Sequence, residues 1–468
     1  MKIEQLYTGC LAQGAYYIES EGEAAVIDPL RETTPYLRKA EQNGVRIRYV
    51  FETHFHADFV SGHVDLAKKS GATIVYGPTA KTGFSAHVAQ DGEVFPLGKV
   101  RIKVLHTPGH TPESVTYLLI DETGRDHAIF TGDTLFIGDV GRPDLAIRGN
   151  LTEHDLAGLL YDSLHTKIMP LADDVIVYPA HGAGSACGKN MSKETTDTLG
   201  NQKRFNYALR AQSKEQFIDE VLAGLSKAPA YFSQNARLNK EGYDSIDTVM
   251  QRGQQALSPD AFEAAVNATG ALVLDVRDAA EFAQGFIPNA INIGLNGQFA
   301  PWVGALIPDL TQPIALVTPV GQEEETVLRL ARVGYDHCIG YLDGGFGAWQ
   351  AAGKEVDTVT SISAETFAQQ RRSTPQLAVV DVRRPAEFDP EHVDGAENYP
   401  LDTLNDHLSA IDRTEPVYVH CAGGYRSMVA ASMLKARGFD NIVNIEGGMA
   451  AIRKTEQVPL TATSASTH

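Results

Sequence analysis

The hexapeptide Leu272-Val273-Leu274-Asp275-Val276-Arg277 returns 106 residues later as Ala378-Val379-Val380-Asp381-Val382-Arg383. Ala280-Glu281-Phe282 returns as Ala386-Glu387-Phe388, and Asp343-Gly344-Gly345-Phe346 as Glu446-Gly447-Gly448-Met449, the last pair 103 residues apart. A repeat of that length is a whole domain, not a turn of a solenoid. Each copy reads strand, helix, strand, helix, the pattern of a parallel sheet covered by helices. Two α/β domains are therefore expected, at 243–357 and 358–462. Polar stretches at 238–247 and 353–357 are read as their boundaries, and the small polar tail 461–468 as frayed.

At 468 residues the chain has room for about three domains. The formal charge of −19 argues against a general nucleic-acid or anionic-membrane binder. Met1-Lys2-Ile3-Glu4-Gln5 carries no apolar signal core, and no apolar run reaches membrane-spanning length. Cys10, Cys187, Cys338 and Cys421 are scattered and form no CxxC pair, so a reducing, cytoplasmic setting is expected. The first domain, 1–237, alternates strands with helices. Strands are predicted at 24–28, 47–52, 73–76, 100–105, 115–120, 127–130 and 175–178. One helix is predicted at 33–43, stopped by Gly44, and another from an Asp58 cap to Ser70, stopped by Gly71.

Thr53-His54-Phe55-His56-Ala57-Asp58 follows the second of those strands. Thr107-Pro108-Gly109-His110 and Thr131-Gly132-Asp133 follow later ones. Imidazoles and a carboxylate in sequence-ordered loops at strand ends make an N/O metal site, suited to zinc, iron or manganese.

These motifs, with Pro179-Ala180-His181-Gly182, resemble the metallo-β-lactamase superfamily and imply its αββα sandwich. The usual motif places a histidine after the aspartate, where this chain has Phe59, so a second metal position loses a ligand. Within the superfamily the chain resembles the persulfide dioxygenases. The likeness extends through Gly138-Asp139-Val140-Gly141-Arg142-Pro143-Asp144, the run from Tyr178 to Lys189, and Leu199-Gly200-Asn201-Gln202, and it covers 1–237. It implies one Fe(II) per chain on His54, His110 and Asp133, a facial triad. It makes His56, Asp58 and His181 ligand-orienting groups or weak second-metal ligands, and it places Arg142 and Tyr178 at the substrate. The implied reaction uses O2 to oxidise a small thiol persulfide to sulfite and thiol.

Cys421-Ala422-Gly423-Gly424-Tyr425-Arg426-Ser427 follows the apolar Val417-Tyr418-Val419. A cysteine at a strand end, followed by glycines and a helix, sits in a nest of backbone N–H groups. Such a nest, with Arg426 near it, favours a thiolate and an anionic sulfur substituent. The stretch resembles the active loop of rhodanese sulfurtransferases. That implies Cys421 and Arg426 as catalytic residues and Gly423, Gly424 and Ser427 as substrate-binding ones. In the first repeat the cysteine position falls at or beside Thr318, and Glu323, Glu324 and Glu325 replace the anion-holding groups. That repeat is expected to be an inactive rhodanese kept for packing, docking or a homo-oligomer interface. Cys338 is read as structural, and Cys187, six residues after His181, is left open as a sulfur acceptor.

The expected protein is an α/β multidomain enzyme of sulfide detoxification. A persulfide dioxygenase is followed by an inactive and an active rhodanese, the latter forming or using thiosulfate. Two alternatives stand beside it: a zinc-dependent thioester hydrolase resembling glyoxalase II with an accessory rhodanese, and a non-catalytic sulfur carrier or sensor.

Overall fold

The computed structural model describes residues 1–145, 151–225 and 228–463. The chain packs as two compact units. The first comprises Met1–Thr248, Pro308–Leu310 and Leu328–Asp336; the second comprises Val249–Ile307, Thr311–Val327 and the chain from His337 onward.

The first unit is built on two sheets. One runs in the order β1 (Lys2–Thr8), β2 (Gln13–Ser20), β3 (Glu23–Ile27), β4 (Arg46–Phe51), β5 (Thr73–Tyr76), β6 (His87–Val88). The other runs β12 (Asp197–Thr198), β11 (Ile176–Pro179), β10 (Asp126–Gly132), β9 (Val115–Ile120), β8 (Val100–His106), β7 (Val94–Leu97). Alternate residues of a strand face opposite ways. Tyr16, Ile18, Ala25 and Phe51 therefore meet Ile102, Val104, Leu119 and Phe130 between the sheets. Ala15, Tyr17, Val26 and Val50 face the other way, against Tyr36 and Ala40 of the helix Thr34–Asn43 and Leu66 of the helix His63–Ser70. Leu118 and Ile129 face Leu160 and Phe217 of two further helices. Because both faces of each sheet are covered, the strands read as near-continuous apolar runs. The result is the expected αββα sandwich.

Strand direction gathers the functional loops. β8 and β10 both run antiparallel to β9, and β11 runs parallel to β10. The ends of β8, β10 and β11 therefore share one edge, and His110, Asp133 and His181 follow those ends. Gly44 and Gly71 close their helices in the left-handed conformation, as expected. Asp58 does not cap a helix: the helix starts at His63 behind Gly62, and Asp58 stays in the loop. The polar stretch 238–247 runs up to Thr248, where the main segment of the first unit ends. The helix Phe232–Glu241 crosses it, and buried Asn239 donates to the carbonyls of His56 and Phe59 at 2.8 and 2.7 Å and accepts from Ser61 N–H at 2.9 Å. Its polarity serves buried loops rather than solvent.

The second unit holds the repeat. β13 (Ala256–Leu257), β14 (Leu272–Asp275), β15 (Ile291–Asn292), β16 (Ile314–Val317) and β17 (Cys338–Leu342) pair in parallel in the order β13-β17-β16-β14-β15. In the second copy β18 (Thr360–Ile362), β19 (Ala378–Asp381), β21 (Glu397–Asn398), β22 (Val417–His420) and β23 (Ile442–Ile445) pair in parallel as β18-β23-β22-β19-β21. Between them in sequence β20 (His392–Val393) pairs with β24 (Leu460–Thr461). The two five-stranded sheets share one topology. The repeated Asp-Val-Arg has a structural cause. Arg277 and Arg383 each fold back onto the buried Asp275 and Asp381, and each also donates to a carbonyl, that of Gly285 or Glu391, at 2.8 Å. Cys338 lies inside β17, where burial pushes its thiol up to about 12, in keeping with a structural role.

Within the first unit, Arg31 is fully buried. Its guanidinium donates to Asp336 Oδ2 (2.9 Å), Asp244 O (2.9 Å) and Ala331 O (3.1 Å) and lies over the Tyr243 ring. This fastens the stretch Leu328–Asp336, which the sequence reading gave to the second domain, into the first unit. Breaking a buried ion pair from one side costs about 3–5 kcal/mol. Arg31→Met should lower the stability of the first unit by about 3 kcal/mol in urea titration, and adding Asp336→Asn should recover part of the loss. Losses that simply add in the double variant would show that the pair is not coupled.

Candidate metal centre and cysteine loop

His54, His110 and Asp133 come together in the first unit, all buried, with their ligand atoms within 4.8 Å of one another. Asp133 Oδ2 lies 3.8 Å from His54 Nε2 and 3.4 Å from His110 Nε2. Both imidazoles are turned inward from behind. His110 Nδ1 is 2.8 Å from the carbonyl of Arg142, an acceptor, so its proton sits on Nδ1 and Nε2 is a free lone pair. Thr53 Oγ1 donates to Asp28 Oδ2 at 2.8 Å, which leaves its oxygen to accept from His54 Nδ1 at 3.0 Å. His54 Nε2 and Asp133 Oδ2 have no hydrogen-bond partner, although both are buried. Orphaned acceptors of this kind, one imidazole and one carboxylate beside the inward-turned His110, fit a bound cation.

Electrostatics point the same way. Burial, with His56 adding to it, holds His54 well below the ordinary imidazole range, so it is neutral and able to ligate. Burial alone would raise the Asp133 carboxyl, but His181, His54 and His110 outweigh it and hold Asp133 ionised. Two glycines give the site its closeness. A Cβ on Gly132, at φ +51°, would collide with the Thr53 side chain, and one on Gly141 would collide with the carbonyl of Asp133.

Asp58 and His181 form a second group with Cys187. His181 Nδ1 is 2.8 Å from Asp133 Oδ1, and its Nε2 is 2.8 Å from Asp58 Oδ2. Burial opposes charge on His181, yet Asp133 and Asp58 together raise its pKa well above the ordinary value. A positively charged imidazolium between the carboxylates does electrostatically what a second cation would do. Cys187 is buried, and burial, with Asp58 and Asp133, pushes its thiol far up. His56 faces the other way, with Nε2 3.1 Å from Asp28 Oδ1 and 3.6 Å from Glu52 Oε2. Phe59 is buried with its ring 4.4 Å from that of His56.

Arg142 and Tyr178 are the two residues expected at the substrate. The Arg142 guanidinium is held by Asp144 at 2.7 and 2.6 Å, and its backbone carbonyl accepts from His110 Nδ1. Tyr178 is half-buried and stacks on Phe130, 5.2 Å between centroids. Sequence reasoning missed Asp28, Thr53 and Glu52. The buried Asp ending the 24–28 strand and the Glu-Thr before His54 were the available signals.

In the second unit, Cys421 follows β22 as Thr318 follows β16. The N–H of Gly424 donates to Cys421 Sγ at 3.1 Å, and Ser427 Oγ lies 3.8 Å away. Gly424, at φ +102°, begins the helix Tyr425–Lys435, so the sulfur sits at a helix N-terminus. Arg426 is not free to hold an anion by itself: it makes a two-pronged pair with Glu387 at 2.6 and 2.7 Å. Gly423 lines a cavity of about 460 Å³ at Cys421. In the first repeat Glu323, Glu324 and Glu325 fill the first turn of the helix Glu323–Arg332, where negative charge favours the helix dipole, and Glu323 accepts from Gly321 N–H at 3.0 Å.

His63, behind His56, gives a pH signature. It is buried, its Nδ1 is 3.8 Å from Glu52 Oε1, and burial lowers its pKa to about 3. The unfolded chain takes up a proton there near 6.5 while the folded one does not, so this stability is present above that pH and is lost as pH falls toward 3. Wild type should lose stability relative to His63→Phe over that interval in denaturant titrations. A pH-independent difference would count against a neutral His63.

The metallo-beta-lactamase superfamily model matches residues 8–181, and the rhodanese-like domain model matches 258–352 and 363–455. The human mitochondrial persulfide dioxygenase ETHE1 is 35% identical over 162 residues, covering 34% of this chain and 59% of that protein's length. A probable hydroxyacylglutathione hydrolase of Schizosaccharomyces pombe is 28% identical over 235 residues, covering 45% of this chain and 87% of that protein. The crystal structure of a metallo-beta-lactamase from Staphylococcus aureus is 31% identical with a TM-score of 0.65, covering 73% of this chain and 98% of that one. The chain belongs to the metallo-β-lactamase superfamily and carries two rhodanese-like domains after its metallo-β-lactamase domain.

Proposed function

We propose that the first unit is a mononuclear iron persulfide dioxygenase and that Cys421 of the second repeat is a sulfurtransferase nucleophile. The observation that carries the first part is the triad of His54, His110 and Asp133, with His181 held between Asp133 and Asp58 and Phe59 as a neighbour that cannot ligate. Ferrous ion, which His54, His110 and Asp133 would hold, would supply activation of O2. The overall change consumes one persulfide, one O2 and one water, and releases thiol, sulfite and two protons. The chain's residues supply the rest. Arg142 O and Thr53 Oγ1 fix the two imidazoles, His181 holds a proton against Asp133 and Asp58, and the buried surroundings exclude bulk water.

At Cys421 the thiolate attacks the outer sulfur of a persulfide or of thiosulfate, the donor's S–S bond breaks, thiolate or sulfite leaves with the electron pair, and Cys421 becomes a persulfide. The Gly424 N–H and the helix N-terminus stabilise negative charge on sulfur. Passing that sulfur to sulfite gives thiosulfate, which joins the two domains chemically. The inactive first repeat, with Thr318 in place of cysteine, takes no part as a nucleophile.

A second reading is a two-metal thioester hydrolase, favoured by the Asp58, His181 and Cys187 group and by the hydroxyacylglutathione hydrolase relatives. Metal analysis separates them. The dioxygenase reading expects close to one iron per chain, lost together with persulfide-dependent O2 uptake in His110→Ala. Two zinc ions per chain with thioesterase activity and no O2 uptake would select the hydrolase.

Cys421→Ser should leave O2 uptake within about twofold of wild type while products shift from thiosulfate toward sulfite, because a group remote from the rate-determining chemistry changes product partition rather than rate. Persistence of thiosulfate:thiol sulfur transfer in Cys421→Ser would move the carrier role to another cysteine, with Cys187 first.

A further inference from the structure

The ends of β3 and β4 bring two carboxyl groups together beside the His54 loop. The strands run parallel with Ile27 opposite Phe51, so the next residues, Asp28 and Glu52, leave the sheet side by side. Both are buried, at 1% and 0% exposure, and among the described residues no lysine or arginine pairs with either. Carboxyl groups taken out of water in this way need a compensating partner. His56 returns along the loop to meet them, its Nε2 standing 3.1 Å from Asp28 Oδ1 and 3.6 Å from Glu52 Oε2. It makes no hydrogen bond to either, and neither His56 ring nitrogen nor Glu52 Oε2 has any hydrogen-bond partner.

The rest of the cluster is held in place. Thr53 donates its N–H to Asp28 Oδ1 and its hydroxyl to Asp28 Oδ2, each at 2.8 Å, and Ser61 Oγ donates to Glu52 Oε1 at 2.6 Å. That leaves Glu52 Oε2, a lone pair of Asp28 Oδ1 and the His56 nitrogen grouped within 4.8 Å of one another. Ligand atoms held at about 2.1 Å around a tetrahedral metal stand roughly 3.4 Å apart. The 3.1 and 3.6 Å separations bracket that spacing. Two carboxylates and an imidazole suit a divalent ion of borderline softness, and zinc binds such a set more tightly than manganese or ferrous iron. His63 Nδ1, 3.8 Å from Glu52 Oε1 and without a hydrogen-bond partner, is a further donor at hand.

We infer that Asp28, Glu52 and His56 form a buried zinc site, separate from the triad and from the Asp58, His181 and Cys187 group. An ion there would tie the ends of two neighbouring strands to the loop that carries His54. It would also fix Asp28, whose other contacts run through Thr53 to His54 Nδ1. With all three side chains closed away from solvent, its part is structural. The inference stands whichever reaction the triad carries.

The test counts zinc in the full-length chain with the triad disabled. His110→Ala protein is stripped with chelator, dialysed against buffered free zinc and examined by native mass spectrometry and elemental analysis. It should hold close to one zinc per chain. Adding Glu52→Gln, which keeps the size of the side chain and removes its charge, should weaken zinc binding by more than about a hundredfold, since losing even a group behind a ligand costs 10- to 100-fold. His56→Gln should do the same and carries the test if Glu52→Gln does not fold. Asp58→Asn should leave the ion in place. Zinc should raise the urea midpoint of His110→Ala and leave that of its Glu52→Gln derivative unchanged, as an ion bound only by the folded chain requires. Zinc retained in Glu52→Gln and lost in Asp58→Asn would belong to the Asp58, His181 and Cys187 group and overturn the inference. A His110→Ala chain that takes up no zinc would overturn it as well, and so would equal retention or equal loss in all the variants. Iron at the triad is measured on the wild type, so failure here leaves the dioxygenase reading standing.

Discussion

The two oxygens of Asp133 do different work, and the metal centre depends on that division. Oδ1 is 2.8 Å from His181 Nδ1, and Oδ2 faces His54 and His110 with no hydrogen bond of its own. A buried carboxylate without a partner is costly unless a charge meets it. The imidazolium of His181 and a cation at the triad answer each other across one side chain. Closeness is enforced by backbone: Gly132 and Gly141 leave no room for side chains where Asp133, Thr53 and His110 converge. Thr53 and Asp28 then hold His54 from the far side, so ligand orientation is set by groups that never touch the ion.

The repeated half uses a different economy. Each copy closes an Asp–Arg pair around the end of its second strand, and the pair's carbonyl contacts tie the following loop. What differs is the loop after the fourth strand. In the second copy it turns through Gly424 into a helix whose first N–H groups face a sulfur. In the first copy acidic side chains occupy that helix end and Thr318 Oγ1 is left buried without a partner. The first copy has the same sheet with Thr318 at the cysteine position, and its 294–302 stretch lies against Tyr425 and the cavity of the second.

Much was legible from residue order. The repeat fixed two parallel α/β domains, because identical patterns of apolar runs and turn residues must solve the same packing problem. That His54, His110 and Asp133 would come together was legible because ligand types at successive strand ends mark one edge of the sandwich, and the place of Cys421 because an apolar run before it and glycines after it mark a strand end and a helix start. Gly44 and Gly71 were legible as helix stops because only the backbone decides them.

Other features depended on neighbours distant in sequence. Asp58 has the side chain of a helix cap but is drawn to His181, more than a hundred residues away. Within the polar stretch read as a boundary, Asn239 is buried, and its partners, the carbonyls of His56 and Phe59, are invisible in local composition. Arg142 and Arg426 read as free cations until Asp144 and Glu387 are seen to hold them. Sequence determined which groups could do chemistry and which strands would carry them, since both follow from side-chain type and local periodicity. Tertiary structure decided which charges remain unpaired, which face a site and which repeat walls the other's pocket, because those depend on long-range packing and on the desolvation it imposes.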